Sequence, residues 1–137
     1  MIVVDTNVWS ELTRRTPDDR VRQWEAANAH QLWMSAIVLA ELRAGAALLP
    51  EGRNRALLSQ VIEEIATLHS DRILPFDERC AGFYGAVLAS AKQAGRPIMT
   101  ADAMIAATAL CHGLAVATRD TNDFSGAGVR LINPWNA

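Results

Sequence analysis

Four carboxylates stand where a metal-dependent reaction could use them: Asp5, Glu41, Asp102 and Asp120. Asp5 ends the β-branched run Ile2-Val3-Val4, and Asp120 lies two residues past an apolar stretch ending near Thr118, with Asn122 and Asp123 in the same loop. In an open parallel sheet ligands bind outside the carboxyl ends of the strands, so polar residues directly after strands are the ones placed to reach a substrate. Asp102 heads a helical stripe continued by Ile105, Ala106 and Ala109 at i+3, i+4 and i+7, which turns it toward the sheet edge. Glu41 interrupts a largely apolar helical run, between Ile37-Val38-Leu39-Ala40 and Leu42, where a merely solvated acid is out of place. Taken singly, Asp5 and Asp120 could be turn residues, Asp102 a complement to a helix dipole, and Glu41 an outward-pointing side chain. Gathered at one sheet edge, four acids repel and raise one another's pKa unless a cation holds them. An all-oxygen ligand set suits Mg2+ or Mn2+ rather than Zn2+, so the chemistry read from these residues is that of a divalent-metal site.

The elements that must carry these acids follow from the apolar pattern. Residues 2–4 read as a buried parallel strand, followed by a brief helix over 7–12. Pro17 suits the first turn of a second helix, with Val21, Trp24 and Ala27 on its apolar face. A minimal strand over 32–34 leads to Ser35, an N-cap for an Ala- and Leu-rich helix over 36–49 that stops before Pro50 and Gly52. Leu57, Leu58, Val61, Ile62, Ile65 and Leu68 recur at helical spacing within 53–69. Ile73 and Leu74 make a short strand. Asp77 then caps a helix to Lys92, closed by Gly95 and Pro97, and Thr100 caps another to about His112, ended by Gly113. Residues 114–118 and 129–132 are the last strands. Alternating strands and helices with right-handed crossovers predict the α/β class: an open parallel sheet of about five short strands, helices on both faces, in one domain over 1–137.

Composition narrows the function classes. The chain has 137 residues, half of them hydrophobic, enough for one substantial core without disulfide or zinc staples. No apolar run approaches the roughly 20 residues that span a bilayer. No basic segment precedes Asp5, so neither a membrane anchor nor a signal peptide is expected, and the cytoplasm is the expected location. Cys80 and Cys111 form no CxxC pair. His112 adjoins Cys111, but His30 and His69 are distant and no metal-ligand spacing emerges, so the thiols read as buried or incidental. The net charge of −2, from 13 basic and 15 acidic groups, at first argues against a polyanionic partner. Removing the four candidate acids from the 15 leaves 11 against 13 bases, a remainder of +2, and bound cations add to it. Twelve of the 13 bases are Arg, whose planar fork suits phosphate.

Asp5-Thr6-Asn7, the run Ser35-Ala36-Ile37-Val38-Leu39-Ala40-Glu41-Leu42 with Gly45, the run Asp102-Ala103-Met104-Ile105-Ala106-Ala107-Thr108-Ala109, and Ala117-Thr118-Arg119-Asp120 with Asp123-Phe124 resemble the ordered motifs of PIN-domain ribonucleases. The resemblance covers nearly the whole chain and is strongest to the VapC toxins, especially their FitB-like branch. It implies an α/β nuclease that cuts single-stranded regions of RNA with Mg2+ or Mn2+ and leaves 5′-phosphate and 3′-hydroxyl ends. It also implies that Asp5 and Asp102 are the principal metal ligands. Glu41 would complete the first site or act through water, and Asp120 would be the fourth acid, with Asp123 as its alternative. Asn7 and Thr118 resemble residues that fix the acids by hydrogen bonds. Similar toxins form homodimers and toxin–antitoxin hetero-oligomers, silenced by a VapB-like antitoxin whose C-terminal segment enters the active-site groove. Such contacts are expected on the apolar faces of the helices over 53–69 and 17–27.

Metal ions can activate the nucleophile, relieve phosphoryl charge and steady the leaving oxygen without a histidine. Arg119 is the best candidate for a backbone-phosphate contact, with Arg14, Arg15 and Arg43 weaker ones. Trp9, Trp24, Trp33 and Trp135 could stack bases but read mainly as core or interface residues. Two rival functions remain at this point. A haloacid-dehalogenase-like Mg2+ phosphohydrolase would use Asp5 as nucleophile, but wants a second Asp where Asn7 stands and a Lys near the later acids, and Lys92 is the only Lys. A catalytically silent module would grip RNA or a partner on the same scaffold without cutting.

Overall fold

Ile2, Val3 and Val4 have no exposed surface to solvate, which is the condition under which a continuous β-branched run is stable as a central strand. In the computed structural model, which describes all 137 residues, this strand (β1, Ile2–Val4) is joined by β2 (Leu32–Ser35), β3 (Ile73–Leu74), β4 (Ala115–Ala117) and β5 (Leu131–Ile132). The strand order is β3-β2-β1-β4-β5, and all pairings are parallel. Ile2 lies opposite both Leu32 and Ala115, Met34 opposite Ile73, and Val116 opposite Leu131.

Parallel neighbours need crossover connections, and helices supply them all. α1 (Thr6–Leu12) and α2 (Asp19–Asn28) join β1 to β2, and α3 (Ala36–Ala47) and α4 (Arg53–Leu68) join β2 to β3. α5 (Glu78–Gln93) and α6 (Thr100–Cys111) join β3 to β4, and α7 (Thr121–Phe124) joins β4 to β5. β1 and β4 are buried on both faces, and Ala103, Ala106 and Ala107 let α6 pack closely on them. Val8, Leu32, Met34, Val38, Ile105 and Phe124 fill the surrounding core, where each fully buried side chain stabilises the fold by roughly 1.5–3 kcal/mol. No helix is long and apolar enough to cross a membrane.

The order of strands reverses between β1 and β4. Their carboxyl ends therefore open the crevice that this topology reserves for ligands. The expected class and sheet are observed, while several element ends differ from the pattern-based reading. Pro17 lies outside α2, because the Asp18 side chain caps it by accepting from the Arg20 amide at 2.8 Å. Ala27 is exposed, so the apolar face of α2 is Val21 and Trp24 alone, and the core consumes it. Thr100 is the first helical residue of α6 rather than its cap. Met99 stands at the N-cap with extended backbone, and its carbonyl accepts from the Ala103 amide at 2.9 Å. α3 ends two residues early, β5 begins two residues late after Gly128 at φ 77°, and the stretch around Asn122 and Asp123, expected as loop, forms the single turn of α7.

Candidate active site

The chain leaves β1 at Asp5, whose amide still donates to Ala117 O at 2.8 Å and so extends the β1–β4 ladder by one residue. That last rung buries the Asp5 side chain to 5 % exposure. Both its oxygens accept bonds: Oδ1 from the Thr6 amide at 2.8 Å and Oδ2 from Thr118 Oγ1 at 2.8 Å. Thr118, one residue past β4, is fully buried. Its hydroxyl gives its only proton to Asp5 and accepts from the Asp120 amide at 3.0 Å and Asn7 Nδ2 at 3.3 Å. Asn7 in turn donates to Asp120 Oδ2 at 3.0 Å and accepts from the Arg119 amide at 3.2 Å. The loop after β4 is thus laced to the start of α1.

Glu41 comes from the other side. α3 begins at Ser35, whose hydroxyl caps it by accepting from the Ile37 amide at 3.0 Å, and the helix then carries Glu41 to Thr6, whose Oγ1 donates to Glu41 Oε1 at 2.6 Å. Asp102 arrives in the first turn of α6, where unpaired amides favour a carboxylate. These four acids line one open cleft of about 450 Å³ together with Thr6, Asn7, Ser10, Glu11 and Arg14, and none of the nine lining residues is hydrophobic.

The electrostatics follow from this crowding. Burial raises the pKa of Asp5, the charges of Glu41 and Asp120 add to the rise, and the bonds from Thr118 and Thr6 oppose it. Asp102 is pushed from 3.8 up to about 6, first by burial and then by the charges of Asp5, Glu41, Asp123 and Asp120. A cation in the cleft would reverse both effects, and the acids among the lining residues offer it oxygen donors. The donor set fits a hard divalent ion and offers no thiolate or imidazole to a softer one.

Asp120 lines the cleft, whereas Asp123 is exposed on α7 and acts on Asp102 only through its charge. Arg119, exposed and next in the chain to Asp120, packs its guanidinium over the buried Trp135 ring at 5.1 Å. Arg43 is committed elsewhere, in an ion pair with Glu63 at 2.7 Å that joins α3 to α4. Trp9, Trp24 and Trp135 are buried, and Trp33 is half-buried. Glu11 escaped the sequence reading. It lies one helical turn beyond Asn7 on α1, is buried, bonds Arg14 Nη1 at 3.2 Å and accepts from the Asp18 amide at 2.9 Å. The i, i+4, i+7 spacing of Asn7, Glu11 and Arg14 was the signal that a polar face of α1 meets the cleft.

Comparison with known proteins gives a consistent picture. Residues 2–128 match the model of the PIN domain. The chain is 46 % identical to the VapC ribonuclease Y4jK of Sinorhizobium fredii over 137 residues, covering 98 % of each protein. It is also 46 % identical to the toxin FitB of Neisseria gonorrhoeae over 138 residues, covering 99 % of each. The crystal structure of FitAcB from Neisseria gonorrhoeae superposes with a TM-score of 0.93 at 45 % identity, over 100 % of both chains.

Proposed function

This chain belongs to the PIN-domain family, and from that premise we propose that its acidic cleft hydrolyses RNA phosphodiester bonds with Mg2+ or Mn2+ held by Asp5, Glu41, Asp102 and Asp120. The protein is a VapC-like toxin ribonuclease, one half of a toxin–antitoxin pair whose other member is a VapB-like antitoxin. The observation that carries the chemistry is the convergence of four carboxylates, from four separate stretches of chain, on one cleft without an apolar wall.

A divalent ion there supplies positive charge against the phosphoryl oxygens and a more acidic water nucleophile. The protein's own part is orientation. Thr118 and the Thr6 amide aim Asp5, the Thr6 hydroxyl holds Glu41, and Asn7 ties Asp120 to the start of α1. Exposed Arg119, backed by Trp135, contacts the RNA backbone, and Arg14, braced by Glu11, offers a second cationic group along the cleft. Asn7 is engaged in holding Asp120, the Thr118 hydroxyl and the Arg119 amide, which supports the nuclease over a phosphohydrolase that needs an acid at that position. Products carry 5′-phosphate and 3′-hydroxyl ends. The chain works as a homodimer, a reading supported by Leu57 and Leu68 on α4 and Phe83 and Leu88 on α5, all left in solvent.

The test uses the toxin freed of antitoxin and a single-stranded RNA. Chelation by EDTA is expected to stop cleavage, and Mg2+ or Mn2+ to restore it. Hydrolysis that persists without metal contradicts the proposal, and RNA binding with no cleavage under either ion favours the silent module.

A further inference from the structure

A second group of ligand atoms lies outside the acidic cleft. Cys80 is in the first turn of α5, Cys111 ends α6 and His112 follows it, and one donor atom from each lies within 4.8 Å of the other two. Cys80 is buried, its thiol 3.6 Å from the Pro75 carbonyl and beside Asp77 and Cys111, while Cys111 and His112 are half-buried. His112 Nδ1 lies 2.9 Å from Thr108 O, which can only accept, so Nδ1 carries a proton and Nε2 is the nitrogen whose lone pair a metal would take. Metal-binding histidines are held in this way, by a ring N–H tied to a carbonyl or carboxylate. The cluster also sits at the carboxyl end of α6, the negative end of the helix dipole, which favours a cation. Metal–ligand bonds of about 2.0–2.3 Å place tetrahedral ligand atoms roughly 3.3–3.8 Å apart, within about 1.5 Å of the observed spread.

We propose that Cys80, Cys111 and His112 form a binding site for a borderline-soft divalent cation of the Zn2+ class, separate from the acids that serve catalysis. Each thiol loses one proton on binding, so one M2+ enters as two protons leave, and a solvent molecule completes the tetrahedron. The site fastens the start of α5 to the end of α6. Asp102 lies nine residues back along α6, about 14 Å at 1.5 Å per residue, so the ion steadies the helix that delivers an acid without touching the reacting atoms.

The test titrates the reduced, chelator-stripped full chain with Co2+ as a spectroscopic stand-in for Zn2+. A thiolate-to-cobalt charge-transfer band is expected, saturating at one ion per chain and displaced by Zn2+. Ions held by carboxylates give no such band, so Asp102→Asn is expected to retain it. Cys111→Ser is expected to abolish the band. His112→Gln should weaken Co2+ binding by more than the roughly 10–100-fold that loss of an outer hydrogen-bond partner costs. All three substituted residues are half-buried, and circular dichroism checks that the variants fold. A folded, reduced chain without the band, whose cysteines instead pair as a disulfide in air, overturns the site, as does a band undiminished in His112→Gln.

Discussion

Thr118 Oγ1 donates to Asp5 Oδ2 and accepts from the Asp120 amide and Asn7 Nδ2, so one buried hydroxyl sets the positions of two acids. Thr118→Val keeps the shape and removes all three bonds. It is expected to lower stability by about 1–3 kcal/mol in denaturant unfolding and to slow RNA cleavage, with Thr118→Ser recovering most of both. A valine variant equal to wild type in both assays refutes that role. Asp5→Asn removes the charge while retaining the size, so cleavage is expected to fall at least about 100-fold with circular dichroism unchanged. Wild-type turnover in that folded variant excludes Asp5 as a metal ligand. Asp120 is exposed and Asp102 half-buried, so Asp120→Asn is expected to impair cleavage less than Asp102→Asn. Equal losses at matched metal concentration contradict the ranking.

At the scale of elements, α7 decides how the loop after β4 returns to the sheet. Gly126, just past α7, lies so close to α5 that an added Cβ would meet Ala91 Cα at 3.1 Å and Arg96 Cβ at 3.1 Å. Ser90 Oγ also donates to Gly126 O at 2.8 Å, tying the same two segments. In Gly126→Ala the Ala91 backbone or Arg96 must give by a few tenths of an ångström, with an expected cost of about 1–3 kcal/mol and a matching fall in Tm. A melting curve that overlays wild type shows the contact to be slack. This contact was not legible beforehand, because a one-turn helix around Asn122 and Asp123 has no room for periodicity. The longer helices were legible, α4 from its apolar stripe, and α3 and α5 from an N-cap at one end and a glycine and proline at the other.

The whole molecule carries its acidic cleft as a conditional weakness. Asp102 titrates at about 6 in the fold against 3.8 for a free carboxyl, so the folded state holds its proton more tightly than the unfolded one. This group's ionisation therefore removes stability as pH rises through that window, and the penalty is complete at neutral pH. In EDTA, Asp102→Asn is expected to melt above wild type at neutral pH, with the difference shrinking toward about pH 4. A variant that melts lower at neutral pH refutes the sign. If these acids hold the metal as proposed, protons and metal compete for the same oxygens. Cleavage is expected to decline as pH falls through about 6, and additional Mn2+ to move the decline to lower pH. A pH profile indifferent to Mn2+ concentration contradicts this competition.

The amino-acid order alone determined the α/β alternation, the single core and the four acids, because strand and helix periodicities and residues that end strands are local properties of the chain. The family motifs spaced along it added what chemistry those acids serve. Tertiary structure decided what depends on contacts between distant segments. It placed Asp120 rather than Asp123 on the cleft wall, brought Glu11 and Arg14 to the cleft, turned Arg43 away toward Glu63, and set Cys80 beside Cys111 and His112. Those juxtapositions arise from how helices pack across a sheet, and no spacing within one segment encodes them.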